Sequence, residues 1–197
     1  MSEENFLETV EQACAGGVTI VQLREKNKNG LEYLNLARKV KQITDKYNLP
    51  LIIDDRIDIA IAVDAGGVHV GQSDIPVYIA RKLLGKNKIV GATAKTVEQA
   101  MKAKAEGADY LGVGAIYPTT TKVITVITEV ATLNEIAVQS GMPVVAIGGL
   151  NSSNMHVLYD GMADGIAVVT AIMKSDNVYD TTKKLKEQVL GNFKTKI

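Results

Sequence analysis

Two basic residues and an amide occur at alternate positions early in the chain. Gln22, Arg24 and Lys26 have a period of two, so a β-strand would place all three side chains on one face. Guanidinium, ammonium and amide donors together suit the binding of an anion such as a phosphate. The apolar residues that precede them occupy both faces, which leaves open the opposite orientation, with Glu25 pointing inward. The spacing indicates an anion clamp but does not fix its face.

Carboxylates follow the next two apolar runs. Asp54-Asp55-Arg56 ends one run, and Asp74 follows the other. Carboxylates at neighbouring strand ends suit Mg²⁺, which is held by one or two of them together with substrate phosphates. A structural alternative remains open, in which an aspartate pairs with Arg56 and Asp74 caps a helix that begins near Ile75-Pro76.

Two later segments have the composition of phosphate-binding loops. The run Thr119–Lys122 offers three hydroxyls and a cation directly after an apolar stretch. The pair Gly148-Gly149, followed by Ala167–Ala171, is similar to the phosphate-binding loops of many barrels. A glycine pair also serves an ordinary tight turn, so the second signal depends on its position in the fold.

The histidines and the single cysteine fit structural roles. His69 lies inside an apolar run and is predicted to be a satisfied core residue, whereas His156 is predicted on a helix surface. Cys14 lies among small residues and is predicted to be a buried thiol. The sequence has no hydrolase triad, zinc-ligand cluster or Walker-type loop.

Charge and length exclude several classes of partner. The 197 residues carry 22 basic and 22 acidic side chains, so the basic excess of a nucleic-acid or membrane surface is lacking. No apolar run approaches the roughly 20 residues of a membrane span. We expect a single domain, 1–197, in the cytoplasm, with small-molecule partners and neither nucleic acid nor membrane; a homo-oligomer is compatible with the sequence.

Short Val- and Ile-rich runs alternate with amphipathic stretches, which predicts parallel strands connected by helices. The predicted strands are Val18–Leu23, Leu51–Ile53, Gly67–Val70, Ile89–Ala92, Tyr110–Ile116, Pro143–Ile147 and Gly165–Ile172. The predicted helices are Asn5–Ala15, Leu31–Tyr47, Ile57–Ala65, Ile75–Leu84, Thr96–Glu106, Thr132–Ser140, Asn154–Asp160 and Tyr179–Leu190.

The βα alternation fits either a closed barrel or an open doubly wound sheet. Polar or glycine residues follow nearly every predicted strand, and a ring of such positions favours the barrel, whose site lies at the strand C-termini. Seven strands and eight helices are predicted, because the chain opens on a helix. The predicted fold class is α/β, a (β/α)8 TIM barrel whose first strand is apparently missing from this chain.

Taken together, these motifs resemble the thiamine phosphate synthase family from about Asn5 to Leu190. The narrowest motifs are Val21–Lys26, Asp54–Ala60, Gly67–Asp74 and Tyr117–Lys122. Two further blocks, Val144–Gly149 and Asp164–Thr170, occur across many phosphate-binding barrels.

The resemblance implies a transferase that joins 4-amino-2-methyl-5-hydroxymethylpyrimidine diphosphate to a thiazole phosphate and releases pyrophosphate. It implies that Asp55 and Asp74 bind Mg²⁺, and that Arg24, Lys26 and Lys122 neutralise the departing pyrophosphate. The substrate-binding residues that it implies are Gln22, Leu23, Arg24, Glu25, Lys26, Asp54, Thr93, Thr119, Thr120, Thr121, Lys122, Gly149, Val169 and Thr170.

The chain departs from the family pattern at three places. Asp54 stands where the family usually has asparagine, Thr93 replaces a serine, and the residues after Lys122 are mostly apolar instead of acidic. Two alternatives on the same barrel remain. One is a thiazole tautomerase, and the other is a ligand-binding regulator with a degenerate site.

Overall fold

The computed structural model describes residues 1–119 and 126–193. Seven parallel strands form one sheet in chain order, each hydrogen-bonded to the next. Their bounds are β1 Val21–Leu23, β2 Leu51–Asp54, β3 Gly67–Val70, β4 Ile89–Ala94, β5 Tyr110–Gly114, β6 Val144–Ile147 and β7 Gly165–Ala167. Strands in chain order that are all parallel require a crossover between each pair, as the predicted βα alternation implies.

Helices provide those crossovers and cover the sheet. They are α1 Glu3–Gly16, α2 Gly30–Lys46, α3 Ile57–Ala62, α4 Val77–Leu84, α5 Val97–Ala105, α6 Val130–Ser140, α7 Thr170–Met173 and α8 Val178–Asn192, with a 3₁₀ helix at Met155–Leu158. None of the helices within residues 1–119 and 126–193 is long and apolar enough to span a membrane.

The sheet curves into a barrel. The side chain of Gln22 on β1 lies close enough to Tyr110 on β5 to lower the pKa of that phenol, although three strands separate β1 from β5 in the sheet. A flat sheet would hold these side chains well apart, because neighbouring strands are spaced about 4.8 Å. Gln22 and Tyr110 therefore meet across the interior, and the fold is a TIM-like barrel with one strand missing, as the sequence predicts.

The apolar core lies between the sheet and the helices. Alternate strand residues such as Leu23, Ile53, Val90 and Leu111 point outward into it and are almost fully buried. Cys14 on α1 belongs to the same core, which confirms the prediction of a buried thiol. Burial raises the pKa of that thiol to about 11.

Several predicted elements differ from the structure at their ends, and two of the differences affect candidate site residues or the strand that carries them. The predicted strand Gly165–Ile172 ends at Ala167, and the chain turns into the short helix α7 at Thr170, which therefore does not lie in a strand as predicted. The first strand begins at Val21 and not at Val18. Apolar runs do not distinguish strand from short helix, which is why these ends were misplaced.

Candidate functional site

The clamp on β1 faces the barrel interior. Because Gln22 contacts Tyr110 inside the barrel and Leu23 is buried in the outer core, the strand's alternation turns Gln22 inward. Arg24, two residues further on, forms an ion pair with Asp54 at the end of β2, with 3.2 Å between Nε and Oδ2. Lys26 forms an ion pair with Asp55. Both clamp cations thus lie over the C-terminal end of β2.

The partners of these side chains differ from those of the structural alternative. Arg56 hydrogen-bonds Asp58, with 2.8 Å between Nε and Oδ1, while Asp54 pairs with Arg24 and Asp55 pairs with Lys26. Asp74 does not cap a helix, because α4 begins at Val77 without a side-chain cap. Its Oδ2 instead accepts a hydrogen bond from the Gly71 N–H at 2.7 Å, which closes the turn after β3.

Asp55 and Asp74 are the residues that could hold a divalent cation. They follow the adjacent strands β2 and β3. The backbone of Asp55 has a left-handed φ of 62° and its N–H donates to the His69 carbonyl at 2.9 Å, which fixes the start of this loop. Within the described ranges no group of three or more His, Cys, Asp or Glu residues is arranged for a metal. Two carboxylates fit Mg²⁺ when substrate phosphate and water oxygens complete its shell.

A polar chain lies in the barrel interior beneath the clamp. His69 is 8% exposed, which confirms the prediction of a satisfied core histidine. Its Nδ1 lies 3.0 Å from the Tyr110 hydroxyl, and its Nε2 lies 2.9 Å from Thr93 Oγ1. Burial raises the pKa of Tyr110 to about 12, against the opposing effect of the nearby Gln22 side chain.

Sequence reasoning missed Tyr110. It begins β5 and shares its inward face with Gly112 and Gly114. An aromatic residue followed by glycines at alternate positions marks a strand face that must leave room for a large group, and this signal was available in the sequence.

The glycine pair predicted to bind phosphate adopts a conformation that favours glycine. Gly148 and Gly149 have φ values of 98° and 66°. A Cβ at Gly148 would lie 2.4 Å from the Ala115 Cβ, and one at Gly149 would lie 2.7 Å from the Pro118 carbonyl oxygen. The pair therefore packs directly against the loop after β5, where Thr119 lies. Val169 and Thr170, at the start of α7, follow the neighbouring strand β7.

The other residues considered in the sequence include one with a buried side chain, one in a local turn, one on the surface and three outside the described residues. The side chain of Leu23 is buried in the outer core, and its carbonyl oxygen accepts a hydrogen bond from Tyr33 at 2.9 Å. Glu25 accepts a hydrogen bond from the Asn27 N–H at 3.1 Å. Thr120, Thr121 and Lys122 lie outside the described residues. His156 is exposed, as predicted.

A shallow cavity of about 220 Å³ lies beside the clamp and is lined by Arg24, Glu25 and Lys28, among others. A larger cavity of about 500 Å³ is lined by residues of α6 and by Pro143 and Asp164, next to the N-terminal ends of β6 and β7. The charged and hydroxyl-bearing side chains collect at the opposite, C-terminal ends of the strands, so the larger cavity is not the candidate site.

Comparisons with known proteins agree with this geometry. Residues 1–172 match the family model of thiamine monophosphate synthase. The chain is 51% identical to the thiamine-phosphate synthase of Methanobrevibacter smithii over 194 residues, which cover 98% of this chain and 91% of that protein. It is 53% identical to thiamine-phosphate synthase 2 of Streptococcus pneumoniae over 182 residues, which cover 92% and 87%.

A solved structure gives the same result. The thiamine phosphate pyrophosphorylase of Pyrococcus furiosus superposes with a TM-score of 0.87 at 36% sequence identity, covering 95% of this chain and 91% of that one. The match of family model, sequence and fold over nearly the whole chain leaves one conclusion. This chain belongs to the thiamine monophosphate synthase family of transferases.

Proposed function

We propose that this chain condenses 4-amino-2-methyl-5-hydroxymethylpyrimidine diphosphate with a thiazole phosphate to give thiamine phosphate and pyrophosphate. The observation that supports the proposal most directly is the pairing of Arg24 with Asp54 and of Lys26 with Asp55 at the barrel mouth. Cations that could bind a diphosphate and a carboxylate that could bind its Mg²⁺ thus come from the adjacent strands β1 and β2 and lie together at the barrel mouth.

The ion pairs suggest how the site accepts its charged substrate. In this structure each cation of the clamp is neutralised by a carboxylate. Bound at Asp55 and Asp74, Mg²⁺ would neutralise charge on the diphosphate and on both carboxylates. Lys26 would then be released from Asp55 and could bind a phosphate oxygen, so cation and diphosphate would bind cooperatively.

The bond changes of the proposed reaction need no protein nucleophile. The bond between the pyrimidine methylene carbon and the diphosphate oxygen breaks, and its electron pair leaves with pyrophosphate. The ring amino group stabilises the resulting cation until the thiazole nitrogen forms the new C–N bond with its lone pair. Arg24 and Lys26 stabilise charge that grows on the leaving oxygens, and Lys122 is proposed to act with them. Gln22, Asp54 and Thr93 would orient the pyrimidine diphosphate.

The thiazole phosphate is proposed to bind opposite the clamp. Thr119 follows β5, Gly149 follows β6, and Val169 and Thr170 follow β7. Backbone N–H groups and hydroxyls in loops of this kind commonly bind phosphate in barrels. Thr120 and Thr121 belong to the same proposed subsite.

The test is a pyrophosphate-release assay with both substrates, with and without Mg²⁺, together with calorimetric titration of each substrate alone. Mg²⁺-dependent formation of thiamine phosphate and pyrophosphate is the expected result. Mg²⁺-dependent diphosphate binding without turnover would instead indicate a regulator. Thiazole phosphate binding without diphosphate affinity would indicate a tautomerase.

A further inference from the structure

His69 links two residues on different sides of the proposed pyrimidine diphosphate site. Its ring bonds the Thr93 hydroxyl through Nε2 and the Tyr110 hydroxyl through Nδ1. Gln22 in turn lies close enough to Tyr110 to lower the pKa of its phenol. Thr93 and Gln22 are proposed substrate contacts, whereas His69 and Tyr110 lie beneath them. The four side chains form one continuous chain, here called the interior relay.

Two glycines make space for the interior relay. A Cβ at Gly91 would lie 2.3 Å from Tyr110 Cζ and 2.5 Å from His69 Nδ1. A Cβ at Gly112 would lie 3.0 Å from His69 Cε1. Any larger residue at Gly91 would displace the rings, so the barrel interior is shaped around this contact.

The protonation of the His69 ring determines which hydroxyl of the interior relay donates a hydrogen bond and which accepts one. A neutral imidazole has one N–H donor and one acceptor nitrogen, so one of the two hydroxyls must donate to His69 and the other must accept from it. If Nε2 carries the proton, it donates to Thr93 Oγ1, and the Thr93 hydroxyl proton can point to the barrel mouth. If Nδ1 carries it, Thr93 must donate to the ring and has no proton left for a phosphate oxygen.

The two hydroxyls differ in donor strength. A phenol is more acidic than an aliphatic alcohol, so the Tyr110 hydroxyl is the stronger donor and is expected to donate to Nδ1, which lies 3.0 Å away. Nδ1 is then the acceptor, and the proton of His69 lies on Nε2, where it can be donated to Thr93 Oγ1.

We infer that His69 is a positioning residue of this site, and that its Nε2–H tautomer turns the Thr93 hydroxyl proton toward the substrate. Thr93 then offers a donor to the diphosphate. The role of this contact rests on the proposed function, but the tautomer does not.

The tautomer can be measured without any turnover. The chain has only two histidines, so ¹⁵N-histidine labelling and long-range ¹⁵N–¹H correlation spectra give two ring systems, and His156→Gln removes the signals of the second. At about pH 8, where imidazole is ordinarily neutral, we expect the ¹⁵N shifts of a protonated Nε2 and a bare Nδ1 for His69. A protonated Nδ1, or an imidazolium, would overturn the inference.

Kinetic variants test the positioning role. His69→Leu removes both ring contacts and should raise the KM for the pyrimidine diphosphate about tenfold, the loss of roughly one hydrogen bond, and leave the KM for the thiazole phosphate unchanged. Glutamine places an amide near the position of Nε2, so His69→Gln should recover much of the loss. Asparagine reaches only the position of Nδ1, so His69→Asn should not. Equal changes in both KM values would contradict a role directed at one substrate.

A double-mutant cycle separates positioning from general destabilisation. If His69 acts through Thr93, then His69→Leu should have little further effect on that KM in a Thr93→Val background. Additive effects would overturn the inference. If the wild-type chain forms no thiamine phosphate, the proposed function fails, and the spectra still decide the tautomer.

Discussion

Each cation of the clamp is paired with an aspartate. Arg24 is more exposed than its partner, with side-chain fractions of 37% for Arg24 and 11% for Asp54. The carboxylates are largely buried, so these are not ordinary surface ion pairs, and each cation compensates a buried negative charge. The cations themselves remain accessible, so they are also available to a ligand.

Arg24→Ala should weaken binding of the pyrimidine diphosphate strongly. A hydrogen bond to a charged group contributes roughly 1.5–3 kcal/mol, which corresponds to about 10- to 100-fold in affinity. The affinity can be measured by calorimetry in the presence of Mg²⁺. Arg38→Ala, at an exposed position of α2, is the matched control and should bind as the wild type does. An unchanged affinity in Arg24→Ala would remove Arg24 from the site.

Asp54→Asn should strengthen diphosphate binding. It removes a negative charge that faces the anion and frees Arg24 from its partner. We expect the KM for the diphosphate to fall several-fold at low salt, and the difference to shrink as salt screens the charges. Asp58→Asn changes a nearby exposed aspartate that pairs with Arg56, and it should have no such effect. Asparagine keeps a side-chain oxygen for the proposed orienting contact, so a higher KM in Asp54→Asn would show that the negative charge assists binding and would contradict this prediction.

The position of β1 depends on α2. Asn29 and Glu32 form a capping box at the start of α2, and this fixes where Tyr33 enters the core. Tyr33 is fully buried, and its hydroxyl donates to the Leu23 carbonyl oxygen, at the end of β1, at 2.9 Å. One side chain thus joins the helix to the strand that carries Gln22 and Arg24.

Tyr33→Phe should lower the free energy of unfolding by about 1–3 kcal/mol, because it leaves the Leu23 carbonyl without that partner. Urea denaturation measures the change. Tyr78→Phe, on a residue that is 54% exposed, controls for the loss of a hydroxyl and should change the stability by less than about 0.5 kcal/mol. An equal effect of both substitutions would show that the link between α2 and β1 is unimportant.

Element order could be predicted from the sequence because βα alternation is a local pattern. The inward face of β1 could not, since Val18 and Ile20 match one face and Val21 and Leu23 the other. The contact between Gln22 and Tyr110 decides it, and contacts between residues far apart in the chain leave no local periodicity. The turn at Thr170 was missed for a related reason, because the apolar run continues past the end of β7.

At the scale of the whole molecule, seven strands surround a partly polar interior. Within the described residues no strand precedes α1, which begins at Glu3 with Ser2 as its N-cap, and α1 packs against α8. The interior holds His69 and Tyr110, and the outer core holds Tyr33. The fold therefore stabilises the neutral forms of two phenols.

Stability should fall in strong alkali. Burial raises the pKa of Tyr110 from its ordinary value of 10.0 to about 12, and it raises that of Tyr33 even further. Above pH 10 the unfolded chain loses these protons before the folded chain does. Ionisation therefore stabilises the unfolded state relative to the folded state, and the free energy of unfolding falls. The stability is fully present below pH 10 and is lost as the pH rises toward 12. The free energy of unfolding against pH should be flatter in Tyr110→Phe; an identical slope would contradict this account.

We propose that cations from β1 and carboxylates after β2 and β3 form one metal-dependent site for a leaving diphosphate. The most direct measurement is the Mg²⁺ dependence of pyrophosphate release in wild type and in Asp74→Asn, which keeps an oxygen for the Gly71 N–H. Asp176→Asn, at an exposed position, is the control. We expect Asp74→Asn to need at least about tenfold more Mg²⁺ for half-maximal rate. Identical Mg²⁺ curves for wild type, Asp74→Asn and Asp55→Asn would contradict the claim.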